Sequence, residues 1–180
     1  YQTYDAAGKT TRYYTVLYHT NGTTVASTAD TRYVSGIRTT YVYVTFDASG
    51  VMTRNYSSAY HADGNQVKSY SNYLYASGKK TTLTQVSYSA TGVLERSFTL
   101  TYASDGVTPL SGSDYYYMNG VKNKWIYQTF DASGKTTRYF VVTYGVNGTT
   151  IVMSVDTRYA NGIRTAYYYL TYDIAGVMTR

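Results

Sequence analysis

Glycine recurs every 14 residues along this 180-residue chain, and that spacing constrains the fold more than any other feature of the sequence. Thirteen of the 15 glycines fall on the period. Many follow a short polar residue, as in Asp47-Ala-Ser-Gly50. This pattern is typical of a tight turn that glycine closes in the left-handed conformation. The turn glycines are Gly8, Gly22, Gly36, Gly50, Gly64, Gly78, Gly92, Gly106, Gly120, Gly134, Gly148, Gly162 and Gly176.

The segments between the turns are rich in Thr, Tyr and Val, as in residues 9–18 and 37–46. Such segments of about ten residues are typical of β-strands. The regular glycines and the lack of a sustained 3.6-residue apolar stripe disfavour helix. We therefore predict an all-β fold, an antiparallel meander of about thirteen strands joined by tight turns in one long twisted or curled sheet.

A longer period of 42 residues lies over the short one, because Tyr4 is followed at that step by Phe46, Tyr88, Phe130 and Tyr172. Each 42-residue repeat then contains a first-type strand after Gly8 or its equivalent, followed by a second-type and a third-type strand. Residues 127–180 match residues 1–54 at 34 of 54 positions. We predict that residues 1–180 form a single block of a tandem β-repeat array, in which each repeat buries its surface mainly on its neighbours.

Charged residues recur in register with the turns. Counted from the preceding turn glycine, the fourth position of each first-type strand is Arg, and the eighth of each second-type strand is Asp or Asn. If every turn is a three-residue loop like Ala48-Ser49-Gly50, these residues face each other directly and even positions share one face of the sheet. Opposite charges in such pairs fix the register, although a functional charge array is an alternative. The predicted pairs are Arg12 with Asp30, Arg54 with Asn72, Arg96 with Asp114, and Arg138 with Asp156.

The two predicted faces differ in composition. Even positions carry aliphatic and aromatic residues such as Val42, Phe98 and Val142, which makes this face the candidate core. Odd positions carry Thr and Tyr, which tolerate both water and packing. This odd face is the candidate ligand or packing face, and its aromatic residues are Tyr41, Tyr43, Trp125, Tyr127, Tyr139, Tyr167 and Tyr169.

Residues typical of catalytic or metal-binding sites are scarce. The chain has no cysteine, which excludes disulfides, Cys-ligated metals and a thiol nucleophile. His19 and His61 occupy equivalent turn positions, and we expect exposed turn residues rather than metal ligands. Each turn offers a single carboxylate, too few for calcium. Because no catalytic or nucleotide-binding motif is present, we predict no enzyme activity, no cofactor and no metal site.

The formal net charge of +6 raises the question of an anionic partner. Four of the periodic arginines already have a predicted partner side chain, so we expect that the chain does not bind nucleic acid. Polysaccharide remains a candidate partner. No apolar stretch approaches the roughly 18–20 residues of a membrane helix, and no leader opens the chain at Tyr1. We therefore expect no membrane insertion.

The segments Tyr4-Asp-Ala-Ala-Gly8 and Tyr172-Asp-Ile-Ala-Gly176 resemble the Y-D-x-x-G core of the YD repeats of large bacterial secreted and surface proteins. Related Asp-x-x-Gly strand repeats occur in adhesin-like proteins. The spacing of 14 residues within 42 differs from the usual spacing of YD repeats. The resemblance implies a bacterial extracellular or cell-surface array with a structural or adhesive role.

Two functions remain open at this stage. The first is a structural repeat segment of a long secreted bacterial protein, such as a stalk, a matrix fibre or an adhesin shaft, that self-associates through sheet edges and Tyr/Thr faces. Its partners would be further repeats or further copies, because Tyr1 and Arg180 fall inside predicted strands and an open strand edge favours pairing. The second is a carbohydrate-binding module that uses the Tyr/Thr-rich face.

Overall fold

A computed structural model describes all of residues 1–180, and its regular secondary structure is entirely β. Thirteen antiparallel strands form one meander sheet in which the strand order follows the chain order. The all-β antiparallel meander predicted from the glycine period is therefore confirmed. The strands are β1 Gln2–Tyr4, β2 Thr10–Tyr18, β3 Val25–Val34, β4 Ile37–Phe46, β5 Met52–Tyr60, β6 Val67–Ala76, β7 Lys79–Tyr88, β8 Leu94–Tyr102, β9 Pro109–Met118, β10 Val121–Phe130, β11 Thr136–Tyr144, β12 Ile151–Ala160 and β13 Ile163–Thr171.

The chain divides into two compact units, Tyr1–Gly92 and Val93–Arg180. The N-terminal unit contains β1 to β7, and the C-terminal unit contains β8 to β13. Within each unit, a strand contacts only the strands next to it in sequence. Side chains are therefore buried by cross-strand neighbours on the same face of a single layer, rather than by a second layer of strands or helices.

The sheet contains three kinds of turn, and the two longer kinds differ in loop length by one residue. In the β4–β5 turn the Asp47 N–H donates to the Val51 carbonyl at 2.8 Å, which encloses three residues. In the β2–β3 turn the His19 N–H donates to the Thr24 carbonyl at 2.8 Å, which encloses four. The three-residue loop that we predicted for every turn is therefore correct for β4–β5 and its equivalents but wrong for β2–β3.

The third kind of turn is a two-residue loop. Val34 pairs with Ile37, and between them Ser35 and Gly36 have φ values of 53° and 83°. Two successive left-handed residues define a type I′ turn, whose twist matches that of the flanking strands. The 42-residue repeat thus follows from loops of three, four and two residues in fixed order. The residues equivalent to Ser35 are Ser77, Asn119 and Asn161, with φ values of 49°, 53° and 53°.

Bulges change the register of the hairpins that carry the charged pairs. Arg12 lies opposite Arg32, and Asp30 lies opposite Tyr14, so the predicted direct opposition of Arg12 and Asp30 is not observed. Relative to the predicted three-residue loop, the four-residue loop shifts the strand pairing by one residue, and a bulge next to Tyr18 shifts it by one more. Arg12 and Asp30 are consequently diagonal neighbours on the same face.

The face that a given position occupies also differs from the prediction. The three-residue loop is followed by a bulge, so Tyr43 lies opposite Tyr56, and an odd position pairs with an even one. A one-residue shift transfers every side chain of the next strand to the other face. Even positions therefore change face at each such turn, and the candidate ligand face is split between the two sides of the sheet.

Burial confirms that neither face serves as the only core. Val141 and Val142 are consecutive in β11, and their exposed fractions are 8% and 2%. Because successive strand residues point to opposite faces, both sides of the sheet hold buried apolar side chains. Leu83 and Val86 in β7 show the same arrangement. The predicted even-numbered core face is therefore not realised as a single face.

Candidate functional site

Three of the four predicted register pairs form two-point ion pairs. Arg12 donates from Nε and Nη2 to the two carboxylate oxygens of Asp30 at 2.8 and 2.9 Å. Arg32 approaches the same carboxylate at 3.5 Å, which is long for a hydrogen bond. The bond from Arg12 is the main reason that the pKa of Asp30 is lowered. Arg96 with Asp114 and Arg138 with Asp156 have the same two-point geometry.

The remaining pair lacks a negative charge. Arg54 donates from Nε to the Asn72 side-chain oxygen at 2.7 Å. The residue opposite Arg54 is Leu74, whereas Arg12 has a second arginine opposite it. A carboxylate partner does not require a second arginine, because Arg96 lies opposite Tyr116 and pairs with Asp114. Each of the four arginines donates to a side chain of the neighbouring strand, which favours a structural role for the pairs in fixing the register.

The carboxylates of the turn aspartates accept hydrogen bonds from backbone groups of their own turns. Asp47 Oδ1 accepts hydrogen bonds from the backbone N–H groups of Ser49 and Val51 at 2.8 and 3.0 Å. Asp131 makes the equivalent bonds, and the Ser133 hydroxyl and the Lys135 N–H lower its pKa. The structure contains no group of three or more His, Asp or Glu side chains placed to hold a metal ion.

The two histidines lie in equivalent four-residue turns but differ in their contacts. The His19 Nε2 lies 3.2 Å from the Phe46 carbonyl oxygen. The His61 Nε2 is buried without a hydrogen-bond partner. Neither histidine is as exposed as we predicted, because both side chains are half-buried.

Four tyrosines form a cluster on one face of the N-terminal unit. Tyr41 stacks on Tyr43 with ring centroids 6.4 Å apart, and Tyr56 lies 6.3 Å from Tyr41. Tyr70 extends the row, 5.5 Å from Tyr56 and tilted by 31°. We call Tyr41, Tyr43, Tyr56 and Tyr70 the tyrosine cluster. Burial raises the pKa of Tyr41 and Tyr70, with their tyrosine neighbours as the next cause, so these hydroxyls stay neutral at physiological pH.

A second aromatic cluster occupies the equivalent place in the C-terminal unit. Trp125 stacks on Tyr115 at 5.8 Å with an interplanar angle of 9° and donates from Nε1 to the Ser113 hydroxyl at 2.8 Å. Tyr127 and Phe140 lie 5.9 and 5.6 Å from Trp125. We call Tyr115, Trp125, Tyr127 and Phe140 the tryptophan cluster.

The structure therefore brings together only part of the candidate ligand face. Tyr41 and Tyr43 belong to the tyrosine cluster, and Trp125 and Tyr127 belong to the tryptophan cluster. By contrast, Tyr139 and Tyr167 both pair with Thr157, on the opposite side of β12 from the tryptophan cluster. Tyr169 shares that opposite side.

Sequence reasoning missed four members of these clusters, Tyr56, Tyr70, Tyr115 and Phe140. Tyr56, Tyr70 and Phe140 stand at even positions and were assigned to the other face. The available signal was the difference between the turn sequences. Ser-Gly and Asn-Gly between two strands predict two-residue loops, and loops of unequal length exclude one register for all hairpins.

Comparison with known proteins identifies no family. The chain matches no family model and no curated protein. Among solved structures, it is similar to the crystal structure of TcdB2-TccC3-TEV, with 11% identity and a TM-score of 0.27, over 98% of this chain and 15% of that one. It is also similar to a protein of unknown function from Bacteroides fragilis NCTC 9343, with 9% identity and a TM-score of 0.22, over 88% of this chain and 99% of that one.

These similarities are too low to support any statement about function. The chain spans only a small part of the first of these structures. The structure of the chain itself establishes an all-β protein built from repeated hairpins. It contains no helix long and apolar enough to cross a membrane.

Proposed function

We propose that this chain is a structural repeat segment of a secreted or cell-surface bacterial protein, in which tandem hairpins form part of a stalk, fibre or adhesin shaft. The observation that carries the proposal is the contact pattern within each unit, where a strand contacts only its neighbours in sequence. In such a structure a further repeat adds strands without disturbing those already present. The length of the array is then set by the number of repeats.

The recurring contacts support this reading, because they serve the hairpins themselves. The arginine–carboxylate pairs join first-type to second-type strands, and the turn aspartates bind backbone N–H groups of their own loops. Threonine hydroxyls join third-type to first-type strands, as between Thr45 and Thr53 at 2.7 Å and between Thr129 and Thr137 at 2.8 Å. Each periodic residue type thus stabilises one kind of hairpin.

Exposed tyrosines favour self-association as part of the same role. Tyr167 and Tyr168 are consecutive in β13, point to opposite faces, and are each 53% exposed. Tyrosine provides a large apolar area with a polar edge, which suits packing against a further copy. We expect Tyr167→Ser with Tyr168→Ser to weaken self-association measured by sedimentation, while a wild-type chain that stays monomeric at high concentration would contradict this part of the proposal.

Repeat insertion tests the structural role directly. Spin labels are placed on Thr20→Cys and Ala62→Cys, which are exposed and 42 residues apart in equivalent turns. A variant then carries a second copy of residues 47–88, with the label only on the later copy of residue 62. Three more strands at about 4.8 Å each should lengthen the label distance by roughly 14 Å.

The control is a 42-residue insertion of the same composition in scrambled order. An unchanged distance in the repeat-insertion variant, or loss of its cooperative unfolding, would reject the structural array. The absence of native cysteine makes the labelling unambiguous.

A further inference from the structure

A hollow of about 380 Å³ lies beside the tyrosine cluster in the N-terminal unit. Its walls include the rings of Tyr56, Tyr70 and Tyr88, together with the side chain of Gln66. Tyr56 and Tyr70 are 5.5 Å apart, and their ring planes differ by 31°. The hollow is therefore an aromatic recess with one amide at its rim.

Two of these residues depart from the repeat. The positions equivalent to Tyr70 hold Thr28, Gly112 and Ser154, so no other second-type strand places an aromatic ring there. Residues that recur in every repeat stabilise the fold of the repeat. An aromatic ring present in a single repeat is not needed for that fold.

Gln66 is the second departure, because its equivalents are all threonine. Two of these threonines bind within their own loop: Thr24 accepts from the Asn21 amide at 2.8 Å, and Thr150 accepts from the Asn147 amide at 2.7 Å. Gln66 keeps only the backbone bonds of its turn, to Asp63 and from His61. Its carboxamide binds no protein group and can donate and accept two hydrogen bonds each.

The recess carries no charged side chain. Arg54 lies 5.4 Å from the centre of the Tyr56 ring and donates to the uncharged Asn72 side chain, but it is not among the residues that line the recess. An ionic ligand would lose its hydration here without a charged group in the lining to replace it. The chemistry that fits is an uncharged group with an apolar face and hydroxyls at its edge.

We propose that this recess binds a neutral sugar residue of a polysaccharide. The C–H face of the sugar packs on Tyr70 and Tyr56, and its hydroxyls exchange hydrogen bonds with the Gln66 carboxamide and the tyrosine hydroxyls. The residues differ from those that the odd-numbered face suggested, since only Tyr70, Gln66 and their neighbours form a recess. Binding at this single repeat is compatible with a scaffold role for the others.

The test is an NMR titration of the 180-residue chain with four neutral hexasaccharides: maltohexaose, cellohexaose, mannohexaose and chitohexaose. Two variants replace the departing residues by those that the repeat carries elsewhere, Tyr70→Ser and Gln66→Thr. Because Ser154 and Thr150 occupy these places in the C-terminal unit, both variants should keep the fold, which thermal unfolding checks. Tyr168→Ser removes an exposed tyrosine that does not line the recess and serves as the matched control.

We expect at least one hexasaccharide to shift the signals of β5 to β7, and Tyr70→Ser to weaken binding by roughly fivefold or more, as the loss of one stacked ring requires. Gln66→Thr should weaken it to a smaller extent, and Tyr168→Ser should leave it unchanged. No shift with any of the four sugars, equal affinity in Tyr70→Ser, or shifts confined to the tryptophan cluster would each overturn the proposal.

Discussion

Arg138 donates from Nε and Nη2 to the two carboxylate oxygens of Asp156, at 2.9 Å each, although the residue directly opposite Arg138 on β12 is Arg158. Arg158 approaches the same carboxylate at 3.5 Å. Asp156 therefore lies between two arginines that would otherwise face each other as like charges. Asp156 therefore pairs with Arg138 and also reduces the repulsion between Arg138 and Arg158.

This geometry predicts unequal costs for removing the two partners. Asp156→Asn leaves two facing arginines without compensation, and we expect a loss of about 1 kcal/mol in the free energy of unfolding. Arg138→Gln leaves Asp156 beside Arg158 and should cost about 0.5 kcal/mol, because the arginine is partly solvated.

Urea unfolding of both single variants and the double variant measures these costs and the coupling between them. Asn72→Ala is the control, since Arg54 faces Leu74 and no like charge is released there. Equal costs for Asp156→Asn and Arg138→Gln would contradict the compensation argument.

The same carboxylates predict a loss of stability in acid. The hydrogen bond from Arg12 lowers the pKa of Asp30, and the bond from Arg138 lowers the pKa of Asp156. A carboxylate whose pKa is lower in the folded than in the unfolded state stabilises the fold above the unfolded value of about 3.9. This contribution is lost as the pH falls from about 4 through the folded pKa.

Unfolding free energies measured between pH 6 and pH 2 should therefore fall most steeply below about pH 4. The variant with Asp30→Asn and Asp156→Asn should show a shallower fall. Some slope should remain, because the pKa values of Asp63 and Asp131 are also lowered by hydrogen bonds in their turns. An identical slope in the variant and the wild-type chain would exclude the two ion pairs as its source.

Glycines in the turns should differ in their tolerance of a methyl group. Gly64 has φ +70°, and a Cβ there would lie 2.8 Å from Ile37 Cγ2 and 2.9 Å from the Arg38 backbone nitrogen. Gly50 has φ +81° but space around it, and Gly145 has neither a left-handed backbone nor a close neighbour.

We expect Gly64→Ala to cost about 2 kcal/mol or more, and Gly50→Ala to cost about 1 kcal/mol from backbone strain alone. Gly145→Ala should be neutral or slightly stabilising, because it lowers the entropy of the unfolded chain without strain. Thermal and urea unfolding of the three variants gives the order. A cost for Gly145→Ala as large as that for Gly50→Ala would remove the distinction between periodic and non-periodic glycines.

The sequence predicted the strands because glycine spacing and residue type act locally. The left-handed residue at Gly50 and the Asp47 cap determine a turn without reference to the rest of the chain. The pairing partner of Arg12 was also predicted, since a diagonal carboxylate lies within reach of a long side chain.

The face of the sheet on which each residue lies could not be predicted in the same way, because each shift in register changes the position of every strand that follows. One bulge beside Phe46 is enough to bring Tyr43 opposite Tyr56 and to move the even positions of β5 to β7 to the other side of the sheet. The tyrosine cluster depends on this change, since Tyr56 and Tyr70 join Tyr41 only after it. The cluster therefore became recognisable only with the three turn types in place.

Cysteine pairs test the change of face, and the natural chain contributes no thiol of its own. Tyr43→Cys with Tyr56→Cys places two cysteines directly opposite each other on one face. Directly opposite residues have Cβ atoms roughly 4.5–5.5 Å apart, close enough for a disulfide after a small adjustment. We expect this variant to form an intramolecular disulfide readily on mild oxidation in the folded state.

Val42→Cys with Tyr56→Cys is the discriminating partner of that variant. A uniform three-residue register without a bulge would place these two residues opposite each other, whereas in the structure Val42 lies opposite Ser57 and points away from Tyr56. Thiol titration after mild oxidation should therefore show two free thiols in the Val42/Tyr56 variant and none in the Tyr43/Tyr56 variant. The reverse result would restore even positions to one continuous face and would separate Tyr56 and Tyr70 from Tyr41, which dissolves the tyrosine cluster.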